Sequence, residues 1–112
     1  MMSNVGIDII EIKRIKLSDK FINKILHEDE IQIIKTFNST KRKKEFLAGR
    51  WAAKESIQKI FDEKISMSKI NIGYKNEKPT IFNVELRNVS LSISHEKRYC
   101  VAVAIVSNQS GG

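Results

Sequence analysis

Between Val5 and Ile12 the chain reads VGIDIIEI, an almost continuous apolar run rich in β-branched residues, which predicts a strand buried on both faces. Asp8 is the anomaly in it, because a carboxylate there is costly to bury unless it meets a cation or several hydrogen-bond donors. From Ser18 the period becomes helical: Phe21, Ile25 and Leu26 share a face that Ser18 can cap, and a second helical piece follows with Ile31, Ile34 and Phe37. The cluster Asn38-Ser39-Thr40 ends that piece. Thr40 is the expected N-cap of a long helix over about 41–62, which contains no proline and one interior glycine, Gly49.

Beyond the helix the period shortens. Residues 69–74 alternate loosely, 76–79 form a turn, and 80–86 continue as a strand with Ile81, Phe82 and Val84. In 89–95, Val89, Leu91 and Ile93 fall on one face and Ser90, Ser92 and Ser94 on the other. The last strand, 99–106, opposes Tyr99, Val101, Val103 and Ile105 to the smaller Cys100, Ala102 and Ala104, a face suited to close packing of a helix. Helices followed by antiparallel strands predict an α+β fold in which a sheet packs on one long helix and shorter ones. One domain is expected over 1–106, with 107–112 as an unstructured tail.

The length of 112 residues suits a single modest core, and 41% hydrophobic with 29% charged residues excludes wholesale disorder. The apolar run near the start is too short and too polar for a signal peptide or a membrane span. Cys100, the single cysteine, leaves no internal disulfide and fits a core position in a cytoplasmic protein. A net charge of +7 points to an anionic partner. The basic residues concentrate at Lys13, Arg14, Lys16, Lys20 and Lys24 and in the run Lys41 to Lys44, either as solvated helix faces or as a binding surface.

On the long helix Trp51, Glu55 and Lys59 form one stripe at i, i+4, i+8 with Ala48 and Ala52 beside it, and Arg50 and Lys54 form a neighbouring pair. The small residues let another backbone or a ligand approach Glu55. Glu55 and Lys59 can simply pair along the helix for a few tenths of a kcal/mol. If Asp8 packs nearby, the two carboxylates suit Mg²⁺ completed by waters and phosphate oxygens, with Lys54 and Lys59 at hand for phosphate. His95, ending the strand as SISH, is either structural or a phosphate contact, whereas His27 lies in an acidic loop without such context. The P-loop, dinucleotide, CxxC and HExxH signatures are absent, and aromatics do not interleave with the basic residues as in single-strand nucleic-acid binders.

GIDIIEIKRI at 6–15, FINKIL followed by Glu30, EFLAGRWAAKES at 45–56, Lys78-Pro79 and SISH at 92–95 together resemble the holo-acyl-carrier-protein synthases, the small 4′-phosphopantetheinyl transferases, from about residue 5 to 106. The resemblance implies transfer of the 4′-phosphopantetheine arm of coenzyme A to a serine of apo acyl carrier protein, releasing adenosine 3′,5′-bisphosphate, a step serving fatty acid biosynthesis. It implies Mg²⁺ held by Asp8 and Glu55, with Asp8, Glu55 and Lys59 catalytic. Coenzyme A contacts would fall at Arg50, Lys54, Lys59, Lys78, Pro79, Ser94 and His95, and contacts to the acidic carrier at Arg14, Lys20 and Lys24. It also implies a homotrimer with active sites between subunits.

Two departures stand out. The segment IFDEKIS at 60–66 replaces a glycine-containing turn, and Glu77 takes the place of the glycine in GKP. Both remove a residue that lets backbone approach a phosphate. The alternatives are a small basic nucleic-acid-binding module, the weaker partner assignment, and a catalytically inactive scaffold for acidic carriers.

Overall fold

Seven residues of strand, Val5–Glu11 (β1), open the fold of the computed structural model, which describes residues 3–107. Most of the expected tail, residues 108–112, lies outside the described residues. In β1 Gly6 and Ile10 are buried and Asp8 half-buried, while Ile7 and Ile9 are 60% and 61% exposed. The strand is therefore buried on one face only, contrary to the sequence expectation, because helices cover a single side of its sheet.

Three helices follow. In α1 (Asp19–Ile25) the N-cap Ser18 accepts from the Phe21 N–H. In α2 (Glu28–Ile34) the cap is His27: its Nδ1 accepts from the Asp29 N–H at 3.0 Å, and Glu30 Oε1 accepts from the His27 N–H at 2.8 Å. That reciprocal arrangement is a capping box and gives His27 the local role its sequence context had not suggested. The long helix α3 (Thr40–Gln58) is capped by Ser39, not Thr40, through a 2.9 Å bond from the Arg42 N–H. It also stops earlier than expected. Ile60 bonds back to Ile57 in a tightened last turn, and the Gln58 side chain bonds the backbone of Ile65 in place of a further helical turn.

Strands β2 (Ile72–Lys75) and β3 (Lys78–Ile81) make a two-stranded hairpin, shorter than the predicted strands, which give way to 3₁₀ turns at Met67–Lys69 and Val84–Leu86. Its turn residues Asn76 and Glu77 have φ of 52° and 66°, the left-handed pair that tight hairpins require. Strands β4 (Val89–His95) and β5 (Tyr99–Val106) join β1 in an antiparallel sheet ordered β1-β5-β4, with Asp8 opposite Ala102 and His95 opposite Cys100.

Helix α3 lies across this sheet on the small face of β5, where Cys100, Ala102 and Ala104 are at most 1% exposed. Ala48, Ala52 and Ala53 face them, all fully buried, and a Cβ at Gly49 would lie 3.4 Å from Ile93. The alanines thus admit the sheet and not a ligand. Phe21 packs edge-on against Trp51, with ring centroids 5.2 Å apart, and fastens α1 to α3.

Candidate active site

The strand β1 meets the last turns of α3 at Gly6, where a Cβ would fall 1.9 Å from the Ser56 carbonyl oxygen and 3.2 Å from Lys59 Cβ. Only glycine admits that approach, and it carries Asp8 to the helix. Lys59 Nζ donates to the Ile7 carbonyl at 2.8 Å and to Asp8 Oδ1 at 3.2 Å. Lys59 thus pairs with Asp8 across the chain. The other carboxylate oxygen, Asp8 Oδ2, is buried and has no hydrogen-bond partner among the described residues. A buried, unpartnered carboxylate oxygen is costly and fits a site for a cation.

One turn before Lys59, half-buried Glu55 lines a hollow of about 310 Å³ with Lys24 of α1 and with Gln58, Lys64, Ile65, Ser66 and Met67. Lys20 and Lys24 stand exposed at i, i+4 on α1, and Arg14 is exposed in the turn after β1. The basic cluster of the first helical region therefore reaches the rim of the Glu55 hollow. Among the described residues no three His, Cys, Asp or Glu converge, and Asp8 is not on the lining of the Glu55 hollow, so a cation held by either carboxylate would draw most of its ligands from solvent or substrate oxygens.

A second cavity, of about 240 Å³, opens toward the other end of α3 and is walled by Arg42, Glu45, Arg50, Tyr74, Pro79 and His95, with Glu77 and Cys100 also on its lining. His95 Nδ1 lies 4.0 Å from Glu45 Oε2. Burial pushes the Cys100 thiol up to about 11, with the Glu45 charge adding to it, so the thiol is an inert wall residue. Ten residues of helix separate Glu45 from Glu55, about 15 Å along the axis. The structure brings Asp8 and Lys59 together at one end of α3, and Arg50, Pro79 and His95 together at the other. Lys78 faces a different hollow, with Arg87, and Ser94 is exposed on β4 away from the lining of either cavity.

Lys54 requires a correction. It is fully buried, with its ammonium donating to the Ile25 carbonyl at 2.9 Å and to Glu30 Oε1, which places it out of reach of coenzyme A. Burial lowers its pKa to about 8, against the opposing pull of Glu30. Arg50 is 3% exposed: Nε lies 3.1 Å from Glu30 Oε2, and the guanidinium stacks between Phe46 and Tyr74, at 4.4 and 5.1 Å from their ring centres. Among the described residues neither its Nε nor its Nη2, both buried, has a hydrogen-bond partner, so the contact with Glu30 is one of charge. Glu30, the shared counter-charge, also accepts from the Ile72 N–H at 3.3 Å and so ties α2, α3 and β2 together. Sequence reasoning did not assign it that role. The signal was present in two cations at i, i+4 on the apolar side of a helix, which require a buried acid somewhere in the chain.

Residues 4–104 match the 4′-phosphopantetheinyl transferase superfamily. A holo-[acyl-carrier-protein] synthase of Mycoplasma mycoides subsp. mycoides SC is 57% identical over 105 residues, covering 94% of this chain and 94% of that protein. The corresponding protein of Mycoplasma capricolum subsp. capricolum is 58% identical over 107 residues, with the same coverage of both chains. Among solved structures, a holo-(acyl-carrier-protein) synthase from Bacillus anthracis in complex with CoA (3′,5′-ADP) superposes with a TM-score of 0.84 at 38% identity, covering 95% of this chain and 96% of that one.

Proposed function

The chain belongs to the holo-[acyl-carrier-protein] synthases of the 4′-phosphopantetheinyl transferase superfamily, and on that footing we propose that it transfers the phosphopantetheine arm of coenzyme A to a serine of an acidic apo acyl carrier protein, with Mg²⁺ as cofactor and adenosine 3′,5′-bisphosphate as the second product. The observation that carries the proposal is the junction of β1 and α3: Asp8 bridged to Lys59, with Oδ2 buried and unpartnered and Glu55 one turn away.

Asp8 and Glu55 would hold the cation, which when bound supplies positive charge to the diphosphate oxygens. The residues of the chain account for the rest. Lys59, 53% exposed yet anchored by the Ile7 carbonyl and Asp8, presents a fixed ammonium to a phosphoryl oxygen and stabilises charge that grows as the carrier serine attacks. His95, beside Glu45 in the second cavity, is placed to meet the phosphates of the leaving bisphosphate, with Arg50 and Pro79 as neighbouring walls. Arg14, Lys20 and Lys24 form the docking face for the carrier, where charge complementarity speeds encounter and fixes orientation.

The two cavities lie at opposite ends of α3, which favours an assembly in which one protomer's Asp8 and Glu55 face a neighbour's His95 cavity. The exposed apolar face of the sheet supports the same reading: Val5, Ile7, Ile9 and Ile105 are each at least 50% exposed and form a surface that a homotrimer would cover. Among the described residues no helix is long and apolar enough to cross a membrane.

The test is incubation with apo carrier protein, coenzyme A and Mg²⁺, with mass spectrometry of the carrier. A gain equal to one phosphopantetheine arm is expected, lost in Glu55→Ala while carrier binding persists. No gain with several carriers, alongside an active relative, would sink the proposal. Salt-sensitive binding to RNA or DNA without any response to coenzyme A would instead favour the nucleic-acid module.

A further inference from the structure

The segment after α3, Ile60 to Ser66, contains neither glycine nor proline, yet it turns back onto the helix. One side chain that fastens it is Gln58. Gln58 Oε1 accepts from the Ile65 N–H at 2.9 Å, and Gln58 Nε2 donates to the Ile65 carbonyl, so the amide pairs with one residue's backbone as a neighbouring strand would. Both bonds are partly buried. Ile65 itself packs against the core. Lys64 and Ser66, on either side of this pinned residue, line the hollow that Glu55 lines from the same helix, three residues before Gln58.

We propose that Gln58 is a positioning residue for the transfer: by clamping Ile65 it holds Lys64 on the rim of the Glu55 hollow, where Lys64 contacts the diphosphate of bound coenzyme A. The inference rests on the transferase reading and deepens it. An exposed lysine carries large side-chain freedom, and fixing the adjacent backbone removes part of the ordering cost of each phosphate contact. The site thereby gains a cation from a segment whose other charged residues are the acidic Asp62 and Glu63.

The test uses steady-state kinetics of the full chain, with coenzyme A and apo carrier protein varied separately. Gln58→Met keeps the length and loses both bonds; Lys64→Met removes the cation at the surface and leaves folding intact even if the Gln58 variant is unstable. Each should raise KM for coenzyme A about three- to tenfold, with kcat and KM for the carrier within about twofold of wild type. The double variant should be no worse than the poorer single one, because the clamp acts through Lys64. Trypsin should also cleave after Lys64 faster in Gln58→Met at temperatures where both proteins stay folded. An unchanged KM for coenzyme A in Lys64→Met, a rise confined to the carrier, or multiplicative losses in the double variant would overturn the proposal. A wild-type chain that makes no holo carrier defeats the transferase reading itself, whereas an active wild type with an unaffected Lys64→Met defeats only the clamp.

Discussion

Replacing Glu30 by Gln tests the buried charge cluster behind the site. Glu30 is fully buried and serves two cations, Lys54 at 0% and Arg50 at 3% exposure, together with the His27 and Ile72 N–H groups. The two cations respond differently to its loss. Lys54 already has its pKa held down to about 8 by burial, so in the variant it escapes by shedding its proton. At pH 7 that escape costs on the order of 1 kcal/mol, because the folded pKa lies only a little above neutrality. Arg50 has no such exit, because its guanidinium stays protonated, and losing a charged partner costs about 1.5–3 kcal/mol. The glutamine oxygen can retain one of the two backbone amides but not both. The expected loss is about 3–5 kcal/mol, in the range for breaking a buried pair and a large fraction of the roughly 5–15 kcal/mol that holds a domain folded.

The assay is urea unfolding at fixed protein concentration, and the pH dependence supplies a second check. A lysine whose folded pKa is depressed contributes stability that is complete above its unfolded value of 10.5 and is lost as pH falls through about 8. Above about 8 Lys54 is neutral in both folded proteins, so the Lys54 share vanishes and the Glu30→Gln penalty should shrink by about 1 kcal/mol between pH 7 and about pH 9.5. A penalty below about 1 kcal/mol at pH 7, or one that grows with pH, would refute the reasoning.

Three further outcomes are expected. Glu77→Gly should raise stability by about 1 kcal/mol, read as a shift in the urea midpoint, because Glu77 sits at φ 66° in the hairpin turn where a side chain is strained. Gly6→Ala should cost about 1–3 kcal/mol and depress transfer with it, since the new methyl would strike the Ser56 carbonyl oxygen at 1.9 Å and lever Asp8 off Lys59. Ile9→Asp places a charge in the exposed apolar face of the sheet and should turn a trimer into monomers in sedimentation velocity; a wild-type chain that is already monomeric under the same conditions counts against the shared-site reading.

How much of this was legible beforehand varies with the range of the interaction. Ser18 capping α1, the alternation of β4 and the small face of β5 were read correctly, because each is set by residues within a few positions of one another. The ends of α3 were misplaced at both termini. Ser39 and Thr40 compete as caps with equal chemistry, and Gln58 stops the helix through a residue seven positions on that no local pattern identifies.

The same division holds for the site. The order and spacing of GID, RWAAKES, Lys59 and SISH were enough to indicate the family, since those types at those spacings are written directly into the chain. Which lysine is sealed in the core and which stays at the surface was decided only by packing. Lys54 and Lys59 both belong to α3, yet one is sealed against Glu30, 24 residues away, while the other reaches Asp8, 51 residues away, at the surface. A charge's role follows from the solvent and counter-charges around it, and those are set by contacts between distant segments. The sequence by itself determined the elements and the inventory of chemical groups; the tertiary structure decided which groups are desolvated, which pair, and therefore which remain to meet a substrate.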